Sequence, residues 1–187
     1  MKGDLKKIIM PAVILLIICA ISTSVLAATH QVTKPIIEER AIEVANSTRA
    51  LVLPDGDEFI LNEETTLVDG VKNVYNAKNG AGIVCTVVGT GYGGDIEIMV
   101  GIAADGTIKG VNPISNSETS GLGSNALTPK YLSQFLDAKA ITNKSNEEGK
   151  KIDAYTGATI TSKAVFSIVQ TALEQFSVTN GGVTSTH

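Results

Sequence analysis

The sequence predicts an α+β protein in which one N-terminal transmembrane helix is followed by a single antiparallel-sheet domain with flanking helices. Three patterns carry this prediction. Residues 8–28 form an uncharged apolar run, residues 83–114 hold β-branched and alternating stretches between glycine turns, and residues 165–176 place apolar side chains at helical spacing. Strands joined by short turns pair as neighbours, and a terminal amphipathic helix can then cover the sheet.

The apolar run at the N-terminus has the length of a membrane span. Its 21 residues, 8–28, would form a helix about 31 Å long, close to the hydrocarbon thickness of a bilayer. Three lysines precede the run at positions 2, 6 and 7, and basic residues favour the cytoplasmic side. We therefore expect a single-pass membrane protein with a cytoplasmic N-terminus and an extracytoplasmic domain. Val25-Leu26-Ala27 would also suit cleavage of a signal peptide, which exports the domain equally, but we expect the anchor to be retained.

The segment that follows the anchor predicts a helix and then short strands. Apolar residues recur at helical spacing over residues 35–51, which predicts an amphipathic helix directly after the membrane. Residues 58–75 predict short strands and turns, with Asp69-Gly70 as a turn signal.

The centre of the chain holds the clearest strand signals. Residues 83–88 are apolar and mostly β-branched, and residues 96–102 alternate strictly between apolar and other side chains. The glycine-rich residues 89–94 between them could suggest a dinucleotide fingerprint, but that motif requires a helix directly after the glycines. We therefore interpret them as a connection or bulge between two strands. Asp105-Gly106 predicts a hairpin into a strand over residues 107–114.

The last third of the chain predicts two helices and a polar tail. Residues 129–136 predict a short helix whose inward positions are Tyr131, Leu132, Phe135 and Leu136. A longer helix begins near Thr161 and buries the apolar positions of residues 165–176. The predicted organisation is a cytoplasmic N-terminus and transmembrane helix at 1–28, an extracytoplasmic domain at 29–176 and a flexible tail at 177–187.

Charge and cysteine content exclude several classes of function. The chain has a net charge of −4, and residues 1–7 contribute three Lys against one Asp, so the remainder carries −6. An acidic domain has no electrostatic footprint for nucleic acid, and we expect no nucleic-acid partner. Cys19 and Cys85 belong to no Cys/His cluster of metal-ligand spacing, so we expect no metal site.

Two loops carry the candidate chemistry. Residues 115–124 are rich in hydroxyls and glycine and could offer hydrogen bonds to a polar, planar ligand, although a solvated surface loop fits equally well. Thr159 lies just before the last predicted helix, where a phosphate on its hydroxyl would meet free helix amides, and Lys163 could add positive charge. On the residues alone, a plain helix cap at Thr159 is the favoured interpretation.

A family resemblance changes that balance. Residues 153–159 read Asp-Ala-Tyr-Thr-Gly-Ala-Thr, residues 91–102 read Gly-Tyr-Gly-Gly-Asp-Ile-Glu-Ile-Met-Val-Gly-Ile, and a Ser-Glu-Thr-Ser-Gly-Leu-Gly loop stands between them. The order resembles the FMN-binding domain family, and residues 1–176 with their single anchor resemble the G subunits of the Rnf ion-translocating ferredoxin:NAD⁺ oxidoreductase. The resemblance implies that a flavin transferase esterifies FMN phosphate to Thr159.

The resemblance also implies a set of contacts around the flavin. The residues expected on the ring side are Glu118, Thr119, Gly121, Leu122 and Gly123. The residues expected around the linkage are Thr156, Gly157, Ala158 and Ser162. Asn116 and Ser120 stand where the family loop often has His and Pro, which affects the tuning of the flavin and not its attachment.

The function implied is that of an electron-relay subunit that works with other membrane and redox subunits of an ion-translocating oxidoreductase. The chain would perform no substrate catalysis by itself, because no nucleophile–base pair is apparent. A C subunit of a sodium-translocating NADH:quinone oxidoreductase, or another extracytoplasmic flavin carrier, remains an alternative. A membrane-tethered structural or sensory domain, with Thr159 as a cap only, is the alternative outside electron transfer.

Overall fold

The computed structural model describes residues 2–144 and 148–180. The chain divides into two compact units, residues 1–45 and 46–187. The boundaries expected at residues 28 and 176 stay predictions. Within the predicted tail, residues 177–179 are helical rather than loose, and residues 181–187 lie outside the described residues.

The N-terminal segment is one helix, α1 (Lys2–Val52), of 51 residues. Its stretch Val13–Gln31 is long and apolar enough to cross a membrane, and none of the side chains described in it is buried. The sequence predicted a helix over residues 35–51, and the structure is helical there, but α1 continues through Pro35 and no new helix begins at that residue. Pro35 lacks the N–H that would donate to the preceding turn, and the residues beyond it are rich in the helix formers Ala, Glu and Arg.

The second unit is built on a five-stranded sheet in which every strand pairs antiparallel with its neighbour in sequence. The strands are β1 (Phe59–Leu61), β2 (Val71–Ala77), β3 (Gly82–Thr90), β4 (Asp95–Ala103) and β5 (Ile108–Asn116). The predicted α+β class and antiparallel sheet are confirmed.

The turns follow the glycine signals. Gly70 and Gly106 both have φ +86°, a conformation that glycine adopts without steric cost. The Gly106 N–H donates to the Ala103 carbonyl at 2.9 Å and closes the β4–β5 hairpin. The β3–β4 pair is unbroken from Gly82↔Ala103 to Thr90↔Asp95, so a strand follows the glycine run, as predicted.

One face of the sheet is covered by the last helix, α3 (Thr159–Thr179). Its apolar stripe is buried, as the spacing predicts, with Val165, Ile168, Val169 and Ala172 each no more than 2% exposed. The helix begins two residues before the predicted start. Gln175 is also fully buried, and its Oε1 accepts the Val68 N–H at 2.7 Å.

The opposite face of the sheet receives the last turn of α1. Val52 and Leu53 are buried there with Val84 and Met99. Gly101 and Gly110 pair across β4 and β5, and a Cβ on either would collide with the Val52 backbone. The two glycines therefore form a flat seat on which the helix end rests directly.

The chain between β5 and α3 consists of short elements. They are a 3₁₀ turn (Gly123–Leu127), α2 (Pro129–Leu132), a second 3₁₀ turn (Ser133–Phe135), and β6 (Ile141–Thr142), which pairs in parallel with β7 (Lys150–Lys151). The helix predicted over residues 129–136 is thus split. Its expected inward residues Tyr131, Leu132 and Phe135 are buried, and Leu136 is half-buried.

Candidate functional site

Thr159 is the first residue of α3 and does not cap it. Ala158 occupies the cap position with φ −131° and ψ 42°, and no side chain caps the helix. The Thr159 side chain is exposed, and its hydroxyl makes no hydrogen bond with the residues that the structure describes. The cap interpretation, which the residues alone favoured, is therefore wrong. It failed because the helix begins two residues earlier than its apolar stripe indicates.

The segment before Thr159 is a turn whose shape is fixed by hydrogen bonds to its buried side. The Ala158 N–H donates to the Tyr155 carbonyl at 3.0 Å, and the Tyr155 N–H donates to Ser162 Oγ at 2.9 Å. Gly157 has φ +88° and no atom within 4 Å of a Cβ position, so the turn is open on its outer side. Ser162 is buried beneath this turn and fixes its shape.

The amides at the start of α3 are free. The first helical hydrogen bond runs from the Ser162 N–H to the Ala158 carbonyl at 2.9 Å. The N–H groups of residues 159–161 consequently have no partner in the described part of the chain, as in the first turn of any α-helix. Unpaired amides and the positive end of the helix dipole stabilise an anion placed next to them.

A cavity of about 280 Å³ opens beside Thr159. Its lining residues are Tyr92, Leu122, Gly123, Gly157, Ala158, Thr159, Ile160 and Thr161. Five residues predicted for the site thus come together here: Leu122, Gly123, Gly157, Ala158 and Thr159. The other predicted residues, Glu118, Thr119, Gly121, Thr156 and Ser162, do not line it.

The rim of the cavity is apolar and exposed. Tyr92 is 68% exposed, Leu122 56% and Ile160 55%, and they come from three different parts of the chain. Large apolar side chains that share a concave surface are typical of a binding site for a planar or apolar group. Sequence reasoning missed Tyr92 and Ile160. A Tyr inside a glycine-rich turn was the only available signal.

Leu122 and Gly123, at the end of the loop over residues 117–123, form one wall of the cavity. Gly121 has φ +80°, its N–H donates to Ser124 Oγ at 2.9 Å, and its carbonyl accepts from Asn125 Nδ2 at 2.9 Å. The positive φ accounts for a glycine at this position. The loop is shorter than predicted, because residues 115 and 116 belong to β5 and residues 123 and 124 to a 3₁₀ turn.

Glu118 lies behind that wall. Its Oε1 accepts the Tyr92 N–H at 2.7 Å, and its Oε2 is buried without a hydrogen-bond partner among the described residues. A Cβ on Gly91 or on Gly123 would overlap the carboxyl group. The side chain therefore fills the space that these two glycines leave open.

Lys163 lies near the start of α3 but lines a different cavity from the one beside Thr159. It lines a separate cavity of about 380 Å³ together with Lys151, Asp153 and Tyr131. Burial raises the pKa of Tyr131 in this cavity, while Asp153 pairs with Lys151 at 3.1 Å. Lys163 does not line the cavity beside Thr159, where it was expected to add charge.

The acid–base groups of the described residues offer no hydrolytic machinery near Thr159. No group of three or more His, Cys, Asp and Glu side chains in residues 2–144 and 148–180 is placed to hold a metal ion. Cys85 is buried in β3, and its burial raises the pKa of the thiol to about 12, which keeps it protonated at neutral pH.

A free hydroxyl at a helix start, unpaired amides beside it and an apolar cavity next to both are features that suit a ligand with an anionic part and an apolar part. Comparison with known proteins agrees. Residues 91–174 match the FMN-binding domain family, and residues 1–48 match the RnfG N-terminal region.

The similar full-length proteins specify the family. The chain is 38% identical over 176 residues to the G subunit of the proton-translocating ferredoxin:NAD(+) oxidoreductase complex of Clostridium ljungdahlii, covering 90% of this chain and 91% of that protein. It is 32% identical over 197 residues to the Na(+)-translocating counterpart of Acetobacterium woodii, covering 92% and 93%. A crystal structure of the C subunit of the Na(+)-translocating NADH-quinone reductase from Parabacteroides distasonis matches 58% of this chain and 60% of its own at 25% identity, with a TM-score of 0.47. The chain belongs to the family of G subunits of ion-translocating ferredoxin:NAD⁺ oxidoreductase complexes, and it contains an FMN-binding domain.

Proposed function

We propose that this chain carries FMN as a phosphoester on Thr159 and relays electrons between other subunits of an ion-translocating ferredoxin:NAD⁺ oxidoreductase complex. The free Thr159 hydroxyl is the observation that carries the proposal. It stands at the start of α3, makes no hydrogen bond with the described residues and opens onto an apolar cavity. The fold does not use this hydroxyl, so its modification would leave the described contacts intact.

The residues around Thr159 fit the two parts of FMN. The unpaired amides of residues 159–161 suit the phosphate, because they supply N–H donors and a positive dipole end. The rim of Tyr92, Leu122 and Ile160 suits the isoalloxazine ring, because burying their exposed surface against an aromatic plane is favourable at about 25 cal/mol per Å². When bound, FMN supplies reversible electron transfer, and the protein sets its environment.

The remaining site residues have supporting roles in this proposal. Gly157 and Ala158 leave the Thr159 hydroxyl accessible, while Ser162 holds the turn from behind through the Tyr155 N–H. Leu122 and Gly123 face the ring, and the rest of their loop (Glu118, Thr119 and Gly121) shapes that wall. Thr156 is exposed in the turn and belongs to the segment 153–159 that a flavin transferase would read.

The covalent linkage is tested by the fluorescence of the chain in a denaturing gel. The chain produced together with a flavin transferase should keep flavin fluorescence through denaturing electrophoresis. Thr159→Ala should abolish the fluorescence, and Thr159→Ser, which keeps a hydroxyl, should retain it. Release of free FMN on mild denaturation of the wild type would contradict the linkage and leave only a bound cofactor. A wild-type chain without flavin would favour a structural or sensory domain.

The proposed location is the cell membrane, with the N-terminus in the cytoplasm and the FMN-binding domain outside. The apolar stretch Val13–Gln31 and the lysines at positions 2, 6 and 7 support this orientation. Protease added to intact cells without an outer barrier should degrade the domain. Full protection in sealed, right-side-out membranes would contradict the orientation.

A further inference from the structure

We propose that Glu118 is a positioning residue, whose carboxyl group joins the three chain segments around the cavity without contacting the flavin ring. The segments are the β3–β4 turn with Tyr92, the loop with Leu122 and Gly123, and the first turn of α3 with Thr159 to Thr161. The inference rests on the proposed function only for the identity of the group that the cavity holds.

The first link joins Glu118 to the β3–β4 turn. Glu118 Oε1 accepts the Tyr92 N–H at 2.7 Å, between residues 26 positions apart in the chain. The Glu118 N–H in turn donates to Asn116 Oδ1 at 3.2 Å, which bends the chain back as it leaves β5. The exposed Tyr92 ring is therefore held at the rim through its backbone.

The glycines around this link are explained by the carboxyl group. A Cβ on Gly91 or Gly123 would collide with it, whereas a Cβ on Gly93 would collide with the backbone carbonyl of Ser117, 2.5 Å away. Glycine at each of these positions lets one segment approach another without steric overlap. The glycine-rich turn thus serves close packing around Glu118.

The second link joins Glu118 to the attachment helix. Glu118 Oε2 has no partner among the described residues, and a buried acceptor without one costs about 1–3 kcal/mol. Oε2 and the buried Thr161 Oγ1 both lie against the position that a Cβ on Gly123 would occupy, and neither makes a hydrogen bond with a described residue. The carboxyl group therefore packs on the loop at the point where the first turn of α3 also meets it.

This arrangement separates Glu118 from the ring. Oε2 is closed to solvent, so a group bound in the cavity does not reach it, and Glu118 is absent from the cavity lining. Each of the rim residues Tyr92, Leu122 and Ile160 instead stands on a segment that the carboxyl group joins. Loss of the carboxyl group should let the three walls move apart, while the Thr159 hydroxyl stays available for attachment.

The test compares variants of the full chain, purified in detergent after production with a flavin transferase. Glu118→Ala should keep wild-type fluorescence in a denaturing gel but shift the native flavin absorption spectrum and midpoint potential. Glu118→Gln should restore both towards wild type, because the amide oxygen accepts from the Tyr92 N–H and the amide group fills the same space against Gly123. Glu97→Ala, which removes a Glu paired with Lys72 on the sheet at 2.8 Å, is the matched control and should change neither.

A double variant tests the packing directly. Gly123→Ala should lower the thermal midpoint, and this loss should shrink in the Glu118→Ala background, because the colliding carboxyl group is gone. Equal losses in both backgrounds would overturn the assigned packing.

Hydrogen exchange separates the inference from the proposed function. In a Thr159→Ala chain without flavin, the Tyr92 amide should be protected, and adding Glu118→Ala should remove that protection. This measurement requires no flavin, so it stands if the linkage to Thr159 fails. It also remains available if Gly123→Ala does not fold. Exchange of the Tyr92 amide that is unaffected by Glu118→Ala, or a native flavin spectrum and potential unchanged by it, would overturn the positioning role.

Discussion

Leu51 and Leu53 allow a test of whether the end of α1 packs on the sheet and contributes to the stability of the domain. Leu53 is 0% exposed and packs on the second face of the sheet, whereas Leu51 is 66% exposed. Truncating a buried Leu to Ala costs about 2–5 kcal/mol, because burial is lost and a cavity is left. The same truncation at an exposed position usually changes stability by about 0.5 kcal/mol or less. We therefore expect a difference of at least about 1.5 kcal/mol between two chemically identical changes.

The fragment 46–187, which is one compact unit, is suited to the measurement. Urea denaturation of the fragment, of Leu53→Ala and of Leu51→Ala should give equal slopes and a lower midpoint for Leu53→Ala only. The expected loss is a large share of the roughly 5–15 kcal/mol that stabilises a domain. Equal midpoints for the two variants would refute the packing of the end of α1 on the sheet at Gly101 and Gly110. A changed slope for Leu53→Ala would indicate an altered denatured or native state instead of a lost contact.

Four further predictions concern single residues. Thr159→Ala should change the free energy of unfolding by no more than about 0.5 kcal/mol, and not by the ~1 kcal/mol of a lost cap, in a denaturant titration. Gln175→Leu should cost about 1–3 kcal/mol in the same assay, because the buried Val68 N–H loses its acceptor. The Cys85 thiol, with a pKa of about 12, should resist alkylation at pH 8 until the domain is unfolded. Because its folded pKa is raised, its contribution to stability is complete below pH 9.0 and is lost as the pH rises towards about 12, which pH-dependent denaturation can follow. Gly121→Val should keep gel fluorescence but alter the native flavin spectrum. A side chain at φ +80° costs about 1–2 kcal/mol, so the loop should shift. An unchanged spectrum would place the loop outside the site.

The sheet could be predicted from the sequence because its signals are local. Residues 96–102 alternate with the period of a strand, and turn glycines separate consecutive strands that pair with each other. The continuity of α1 could not be predicted in the same way. Pro35 is a strong local signal for a boundary, yet the helix runs through it into a segment rich in helix formers.

The site was only partly predictable, because its shape depends on contacts between distant segments. Thr159 is the first helical residue and not the cap, because the helix starts two residues earlier than predicted. The period of the apolar residues does not fix a helix start to within two residues. Ile160 and Tyr92 look like ordinary exposed residues until the fold brings them together. Glu118 was expected at the ring, and its burial between Gly91 and Gly123 follows from backbone packing that no pattern of residue types reveals.

The order of elements has a consequence for biosynthesis. The strands β1 to β5 pair only with their sequence neighbours, so the sheet can form while the polypeptide is still growing, since synthesis proceeds from the N-terminus. Thr159 is the first residue of the last described element, the helix that covers one face of the sheet. A nascent chain therefore possesses its apolar N-terminal helix and its sheet before it possesses the Thr159 hydroxyl. If Thr159 receives the flavin, as proposed, the reaction acts on a chain whose sheet is already synthesised, and a product terminated before α3 has no place to receive it.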